Sequence, residues 1–257
     1  MTIVYIMPPK KRTTKKTIKQ IDNDDDDDDE MINFYTLPKV QKFMTKSINP
    51  NYKNHNVTVP FRSVVIGSSG SGKTNNLLNI IHKFNNTFNH IYVYTQAEEP
   101  LYNFLESQIS SDLLTIQYDL DFCRKFKEDD YYGQSLIIFD DQVNEKDQQC
   151  IRELYIRGRK IAGGISLMYL TQSYFTVPKI VRLQCQYVII IKTYGARDLK
   201  LMLSEYALSA TKGQLTKMYE DCCNNGKFGS FFLIDLVAPQ NKSFRRNFKK
   251  YLNVTDY

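Results

Sequence analysis

The stretch FRSVVIGSSGSGKTNN, residues 61–76, contains the residue types that bind a nucleotide triphosphate. Gly67, Gly72, Lys73 and Thr74 match the pattern G-x-x-x-x-G-K-[ST] without a mismatch. Glycines let successive backbone N–H groups point toward phosphate oxygens, and the positive N-terminal end of a following helix adds to the attraction. In such a loop the lysine reaches the β- and γ-phosphates, and the threonine hydroxyl coordinates Mg²⁺. The predicted nucleotide-binding residues are Gly67, Ser68, Ser69, Gly70, Ser71, Gly72, Lys73, Thr74 and Asn75.

Two adjacent carboxylates end the apolar run SLIIFDD, residues 135–141. Successive side chains of a strand point to opposite sides, so Asp140 and Asp141 should have different tasks. Asp140 fits the second Mg²⁺ ligand of such sites, together with Thr74. Asp141, one residue further, stands where many ATPases place the residue that polarises the attacking water. Taken alone, two acids that simply open a loop would give the same pattern.

A third apolar run, ISLMYLTQSYFTVP at residues 165–178, ends in Thr171, Gln172 and Ser173. Polar residues at a strand end are ordinary, because strand ends meet solvent. Ligands of parallel sheets, however, bind at the carboxyl ends of the strands. Both interpretations of these three residues are therefore open at this point.

Arginines lie between these two runs, in RELYIRGRKIAGG at residues 152–164. Arg157 and Arg159 bracket a glycine, which predicts a helix end or a turn. A helix dipole stabilises cations at its C-terminus, and this suffices as a structural explanation. The alternative is an arginine finger that reaches the γ-phosphate of a neighbouring subunit. Sequence alone leaves both open, with Arg152 a weaker third candidate.

The elements that must position these residues alternate along the chain. Short β-rich runs alternate with helix-like segments, which predicts right-handed βαβ crossovers and a mainly parallel sheet. Continuous apolar runs such as LIIF and VIII are typical of strands buried on both faces. The predicted fold class is α/β, a RecA-like P-loop NTPase with helices on both sides of the sheet. The predicted strands are FRSVVI, HIYVYT, LLTIQY, SLIIFD, ISLMYLT, QYVIIIK and SFFLIDL, and the predicted helices are TNNLLNIIHKF, PLYNFLESQI, DLDFCRKF, KDQQCIRELYIRG and ARDLKLMLSEYAL.

Composition narrows the class of protein. Of the 257 residues, 42% are hydrophobic and 24% are charged, which is ordinary for a globular chain with a sizeable core. No apolar stretch reaches the roughly 18 residues of a membrane helix, and the N-terminus does not have the form of a secretory signal. The five cysteines show no metal-ligand spacing, so we expect buried thiols in an intracellular protein without a membrane.

The charged residues are unevenly distributed. Residues 8–30 form a basic block followed by an acidic one, which predicts a disordered tail at residues 1–33 before a single P-loop ATPase domain at residues 34–257. The chain carries a net charge of +6, and a basic segment recurs near its other end. Basic termini around a nearly neutral core suit a polyanionic partner. The run PPKKR fits nuclear import, a nucleic-acid contact or a merely solvated tail.

In order along the chain, FRSVVIGSSGSGKT, IYVYTQAEEPLYNFL, LIIFDDQ and LYIRGRKIAGGISLMYLTQSYFTVP resemble the DNA-packaging ATPases of large double-stranded DNA viruses and virophages. These include the poxvirus-type packaging ATPase, within the FtsK–HerA superfamily. The likeness covers roughly residues 57–236. FDD combined with LTQSYFxVP carries most of its specificity, because the phosphate loop occurs in many families.

The resemblance implies an ATP- and Mg²⁺-dependent translocase that packages double-stranded DNA into a preformed capsid. It implies a homo-oligomeric ring, a pentamer or hexamer, that works with viral capsid proteins at the assembly site in the host cytoplasm. Association with the virion is a further option that the resemblance leaves open. In that family the strand with the acidic pair is called the Walker B strand, and a polar residue, commonly Gln, ends the next strand and senses the γ-phosphate; it falls here on Gln172. The resemblance also implies an arginine finger in trans, which we assign to Arg157 or Arg159. Asp141 replaces the glutamate that is common in the wider superfamily.

Two other functions fit the same residues. A related helicase or cellular-type translocase would share the hydrolytic site but would separate strands. A nucleotide-gated scaffold would bind ATP in order to assemble with capsid proteins and would turn it over negligibly. The complete set of hydrolytic residues favours an enzyme.

Overall fold

A computed structural model describes residues 32–44, 46–125, 130–161, 163–224 and 227–257. The chain divides into two compact units, Met1–Met44 and Thr45–Tyr257. In the first unit the described residues form a 3-10 turn, Phe34–Thr36, and helix α1, Pro38–Gln41. The predicted tail falls almost entirely outside the described residues, and the predicted boundary at residue 34 stays a prediction.

The second unit alternates strands and helices, as the sequence predicts. Its strands are β1 (Arg62–Ile66), β2 (His90–Tyr94), β3 (Leu114–Gln117), β4 (Ser135–Asp140), β5 (Ser166–Thr171), β6 (Tyr187–Ile190), β7 (Phe232–Asp235), β8 (Phe244–Arg246) and β9 (Lys250–Tyr251). Its helices are α2 (Tyr52–His55), α3 (Lys73–Lys83), α4 (Pro100–Gln108), α5 (Asp121–Lys125), α6 (Gln149–Arg157), α7 (Lys179–Gln184), α8 (Ala196–Glu205) and α9 (Lys212–Cys223).

The nine strands of the described residues form one sheet, in the order β3-β2-β4-β5-β1-β6-β7-β8-β9. The first six strands of this order are parallel to one another, and β7, β8 and β9 extend the sheet in antiparallel fashion. The predicted mixed α/β fold with a mainly parallel sheet is confirmed. Strand β5 lies between β4 and β1, so the segments after these three strands meet at one edge of the sheet.

Helices cover both faces of the sheet, and each face has its own apolar core. Along β4, Ile137 and Phe139 belong to one core, whereas Leu136 and Ile138 belong to the other. Every residue of β1, β2, β4, β5, β6 and β7 is buried. Burial on both faces is the physical reason why these strands have continuous apolar sequences.

The sequence did not predict α7, α9 or the β8–β9 hairpin. Helix α9 begins with a capping box, in which the Thr211 hydroxyl accepts from the Gln214 backbone N–H and the Gln214 side chain accepts from the Thr211 N–H. This is a local signal that could have found it. In sequence the hairpin is only a basic segment, but in the structure Arg245 is fully buried in an ion pair with Asp235. Such a pair is invisible in sequence, because its partner lies in another strand.

The described cysteines are mostly buried thiols, as the composition predicts. All five cysteines are free, four of them are buried, and Cys150 is partly buried. Among the described residues, none of the helices has the length and apolar character that crossing a membrane requires.

Candidate nucleotide-binding site

The predicted phosphate loop connects β1 to α3. Ile66, at the end of β1, pairs with Thr171 of β5, and the next N–H, that of Gly67, donates to the Thr171 carbonyl at 3.1 Å. Gly72 has a φ of 88° and immediately precedes the first turn of α3. This left-handed conformation favours glycine because it has no Cβ. The local geometry therefore requires the glycine that the motif places there.

Lys73 folds back onto this loop. Its Nζ donates to the Gly67 carbonyl at 3.0 Å and lies 3.5 Å from the Ser68 carbonyl. A Cβ on Gly67 would lie 2.5 Å from the Ser71 Oγ and 3.1 Å from the Ile191 Cβ, so a side chain here would force its neighbours to shift. The loop thus holds an ammonium group beside the N-terminus of α3, an arrangement that attracts phosphate.

Asp140, the predicted Mg²⁺ ligand, is the last residue of β4. Its side chain is only 5% exposed, and its Oδ2 accepts a 2.5 Å hydrogen bond from the Tyr102 hydroxyl. Burial raises the pKa of the Asp140 carboxyl to about 6, although the bond from Tyr102 lowers it. Burial and the Asp140 charge raise the pKa of the Tyr102 phenol, which therefore keeps its proton and donates. Tyr102 fixes the position of this carboxylate.

Asp141 turns away from the strand. Its φ of 51° is in the left-handed region, which Asp tolerates better than most residues do. The amide of Gln142 stabilises this turn, because its Nε2 donates to the carbonyls of Tyr94 and Asp140, each at 3.1 Å. The two carboxylates thus have different surroundings, while their different tasks stay a prediction. Asp140 is buried against Tyr102, whereas Asp141 is partly exposed.

Gln172 follows β5, between the phosphate loop and the aspartates. Its Nε2 donates to the Asp141 Oδ2 at 2.9 Å. The two neighbouring polar residues have a different setting, because the buried Thr171 hydroxyl donates to the Ser173 carbonyl at 3.0 Å and accepts from the Ser173 N–H at 3.2 Å. Gln172 is therefore the one of the three that contacts the predicted hydrolytic residue.

The segment that follows Gln172 is held by side chains of α7 and α8. The Tyr174 hydroxyl donates to Glu205 at 2.6 Å, and Arg182 donates to both oxygens of the same carboxylate, at 3.0 and 2.9 Å. The Arg182 guanidinium also lies 4.8 Å from the centre of the Tyr174 ring. These contacts tie the segment that carries Gln172 to α7 and α8.

A cavity of about 760 Å³ joins these parts. Its size lies within the usual range of small-molecule sites. The predicted residues that line it are Ser69, Gly70, Gly72, Lys73, Thr74, Asn75, Asp140, Asp141 and Gln172. Among the other residues that line it, Phe228 comes from the loop before β7 and was not predicted.

The oxygens available here suit magnesium. Mg²⁺ prefers oxygen ligands and commonly takes only one or two carboxylates from the protein, with water and substrate phosphates completing the shell. Thr74 and Asp140 line the same cavity and supply a hydroxyl and a buried carboxylate. In the described part of the chain, no cluster of three or more His, Cys, Asp or Glu side chains could hold a metal ion by itself. The cavity thus fits a cation that arrives with a phosphate ligand.

The predicted arginines lie elsewhere. Arg157 ends α6, and Arg159 lies in the 3-10 turn Gly158–Lys160, which leads toward the start of β5. Burial lowers the pKa of Arg62, at the start of β1, and the nearby positive charge of Arg159 lowers it further. These arginines are therefore near the amino ends of the strands. Gln172 follows the carboxyl end of β5. It is therefore separated from these arginines by about the length of that strand, about 20 Å at 3.3 Å per residue.

Sequence reasoning missed Tyr102 and Phe228. Tyr102 lies in the apolar pattern of α4 and is indistinguishable in sequence from a core tyrosine. Phe228 belongs to a loop between two elements, one of which was itself not predicted. Both contacts join segments that are distant along the chain, and no local spacing encodes them.

The sheet order, the phosphate loop after β1 and the paired aspartates after β4 define a P-loop ATPase fold. The model of the Poxvirus A32 protein family matches residues 50–234, well over half of the chain. The chain therefore belongs to the Poxvirus A32 protein family, and the resemblance to poxvirus-type packaging ATPases is confirmed.

Relatives are found in poxviruses. The DNA packaging protein OPG160 of Variola virus is 29% identical over 133 residues, which are 47% of this chain and 48% of that protein. The same values apply to the DNA packaging protein OPG160 of Vaccinia virus strain Copenhagen. The alignment thus spans about half the length of the curated relatives that this chain matches.

Among solved structures, the chain is similar to the genome packaging NTPase B204 of Sulfolobus turreted icosahedral virus 2 in complex with AMPPCP. The TM-score is 0.54 and the identity 18%, and the match covers 74% of this chain and 98% of that one. A likeness at this identity shows a shared fold. The prediction of a P-loop NTPase is confirmed at that level.

Proposed function

We propose that this protein hydrolyses ATP in order to move double-stranded DNA into a viral capsid. Membership of the Poxvirus A32 protein family supports the viral packaging role, and the relatives named above are DNA packaging proteins. The observation that carries the proposal is the contact between Gln172 and Asp141 beside the phosphate loop. A residue that senses the γ-phosphate must touch the hydrolytic machinery, and the hydrogen bond from Gln172 to Asp141 supports this role for Gln172.

Nucleotide binding would begin with Lys73. Its ammonium group now donates to two loop carbonyls, and it would exchange these for the β- and γ-phosphate oxygens of ATP. Backbone N–H groups of residues 67–74 and the N-terminus of α3 would hold the remaining phosphate oxygens. Asn75 would lie beside them at the start of the helix.

Thr74 and Asp140 would hold Mg²⁺. The bound cation would neutralise charge that develops on the phosphates. Tyr102 keeps the Asp140 carboxylate in one orientation, so the ligand would need little rearrangement when ATP and the cation arrive. Such preorganisation is how protein dipoles contribute to catalysis.

Asp141 would orient the attacking water for in-line displacement at the γ-phosphorus. Gln172 would hold Asp141 before hydrolysis and would respond when the γ-phosphate leaves. The segment that follows Gln172 is tied to Glu205 and Arg182, so a shift at Gln172 would move α7 and α8. This gives nucleotide state a physical route to the rest of the domain.

Arg157 or Arg159 would stabilise the transition state of another copy. One chain cannot bring these residues to its own phosphate site, because the arginines and the site lie at opposite ends of the strands. A closed ring of five or six copies would bring the arginines of one subunit to the site of the next. The ring would act with capsid proteins, at the viral assembly site in the host cytoplasm. DNA would be held mainly through its phosphates, so binding would fall steeply with salt and depend little on base sequence.

The test is an ATPase assay with and without double-stranded DNA. The wild type should show turnover that DNA stimulates, whereas Lys73→Ala and Asp141→Asn should abolish it. Lys146→Ala and Asp112→Asn remove the same charges at exposed positions outside the cavity and should keep wild-type rates. Full activity in both site variants, or turnover indifferent to DNA, would contradict the proposal.

The same preparation separates the alternatives. A helicase would unwind a labelled duplex, whereas a duplex-tracking motor would not. A nucleotide-gated scaffold would bind ATP and hydrolyse almost none in the presence of DNA.

A further inference from the structure

Phe228 lies on the phosphate loop rather than in the core. Its side chain is 75% exposed. Its ring is so close to Gly72 that a Cβ on this glycine would be 2.8 Å from Cζ of the phenylalanine. A large aromatic ring thus covers one end of the loop that binds phosphate and keeps most of its surface uncovered.

The segment that carries this ring is held by hydrogen bonds to Asn247, in the turn between β8 and β9. The Asn247 Oδ1 accepts from the Phe231 N–H at 3.0 Å and lies 3.4 Å from the Ser230 hydroxyl. The Phe231 carbonyl accepts from the Asn247 N–H at 2.9 Å. Gly229 allows the turn between them, with a φ of +74°. The ring is therefore presented by a loop that is tied to the β8–β9 hairpin.

The sheet order places Phe228 on the side away from the hydrolytic residues. Strand β5, and beyond it β4, lies on one side of β1, and their carboxyl ends supply Gln172, Asp140 and Asp141. Strands β6 and β7 lie on the other side. Because β7 is antiparallel to β6, the segment before β7 returns to the same edge of the sheet as the phosphate loop.

A nucleotide bound to this loop has a fixed polarity. Its γ-phosphate would lie toward Gln172, so its base must extend past Thr74 toward the β6–β7 side. Phe228 lines the phosphate cavity, and it also lines an adjoining cavity of about 610 Å³ with Asn75, Asn79 and Lys83. The ring therefore stands at the point where the phosphates end and the base begins.

We propose that Phe228 is the platform on which the purine base of ATP stacks, and that the adjoining cavity receives the base. This assignment rests on the proposed ATP binding. Stacking of a base on an aromatic side chain is worth about 1–3 kcal/mol, which corresponds to about 5- to 150-fold in affinity. Stacking favours any base, because every base has a π face, so Phe228 contributes affinity for nucleosides over bare phosphate.

The experiment compares two ligands on the full chain. Binding of ATP and of inorganic tripolyphosphate is measured by calorimetry for the wild type, Phe228→Ala and Phe228→Tyr. Phe104→Ala truncates another exposed phenylalanine, on α4, and serves as the control. We expect Phe228→Ala to weaken ATP binding about tenfold or more and to leave tripolyphosphate binding unchanged. Phe228→Tyr and Phe104→Ala should bind both ligands as the wild type does.

Three results would overturn the inference. Unchanged ATP affinity in Phe228→Ala would mean that the base lies elsewhere, and an equal loss for both ligands would mean that the ring only shapes the phosphate loop. Unchanged binding combined with a loss of DNA-stimulated turnover would identify the ring as a contact to DNA or to another copy. Wild-type protein that binds neither ligand would instead refute the proposed function itself.

Discussion

The two edges of the parallel sheet carry different groups of the predicted site residues. At the carboxyl edge, Gln172 donates to Asp141, Tyr102 donates to Asp140, and Lys73 is folded onto its own loop. At the amino edge, Arg157 and Arg159 are exposed at the end of α6 and the turn after it. One chain thus assembles a nucleotide site by itself and holds its candidate fingers a strand length away. Under the proposed function, nucleotide binding would be built within one subunit, whereas fast hydrolysis would require an arginine from a second.

Removal of the arginines should have the largest effect on DNA-stimulated turnover. The double variant Arg157→Ala/Arg159→Ala should bind ATP normally and lose about 10³-fold or more in DNA-stimulated turnover, the range that an arginine finger contributes. Each single variant identifies which arginine acts, and Arg152→Ala tests the weaker candidate. Lys160→Ala, which removes the adjacent exposed charge, should keep wild-type turnover. Steady-state ATPase rates and ATP affinities provide the measurement.

Mixing two inactive proteins shows whether the arginine acts in trans. Asp141→Asn keeps its arginines, and the double arginine variant keeps its hydrolytic site. Their mixture should regain turnover if an arginine of one copy reaches the site of another. No recovery, in a mixture shown to form joint oligomers, would place both arginines in a structural role at the amino edge.

A smaller effect is expected from the hydrogen bond that orients Asp140. Tyr102→Phe removes the hydroxyl and leaves the buried carboxylate without this donor. Residues that orient a metal ligand typically contribute 10- to 100-fold to metal affinity or activity. We therefore expect Tyr102→Phe to need a higher Mg²⁺ concentration for half-maximal ATPase activity. Without ATP, the variant should fold as the wild type does. Tyr118→Phe, a change at an exposed tyrosine, should leave the Mg²⁺ dependence as it was, and the same result in Tyr102→Phe would refute the positioning role.

Much of the carboxyl edge could be predicted from sequence, because its signals are local. The phosphate loop occupies consecutive residues, and Asp140 and Gln172 each follow an apolar run that marks a buried strand. The parallel order then brings the ends of β1, β4 and β5 together without further information. Gln172 and Asp141 are 31 positions apart, yet both could be placed because each directly follows a strand.

Other features depend on pairings that one segment does not encode. Tyr102 is 38 positions from Asp140, and its helical spacing is that of a core residue. The β8–β9 hairpin is charged and short, and only its pairing with β7 buries Arg245 against Asp235. Phe228 depends on the same antiparallel extension. The sequence predicts where strands end, but it does not predict which distant side chain meets them there.

The most direct test of the central claim is the response of Gln172→Ala to DNA. In the proposed function, Gln172 links the γ-phosphate to α7 and α8 through Asp141 and the segment that follows Gln172. Gln172→Ala should therefore bind ATP like the wild type, and its ATPase rate should no longer rise when double-stranded DNA is added. Ser173→Thr, a conservative change at the next residue, should keep the stimulation. A Gln172→Ala protein whose turnover DNA still stimulates as in the wild type would contradict the claim that this contact couples hydrolysis to movement.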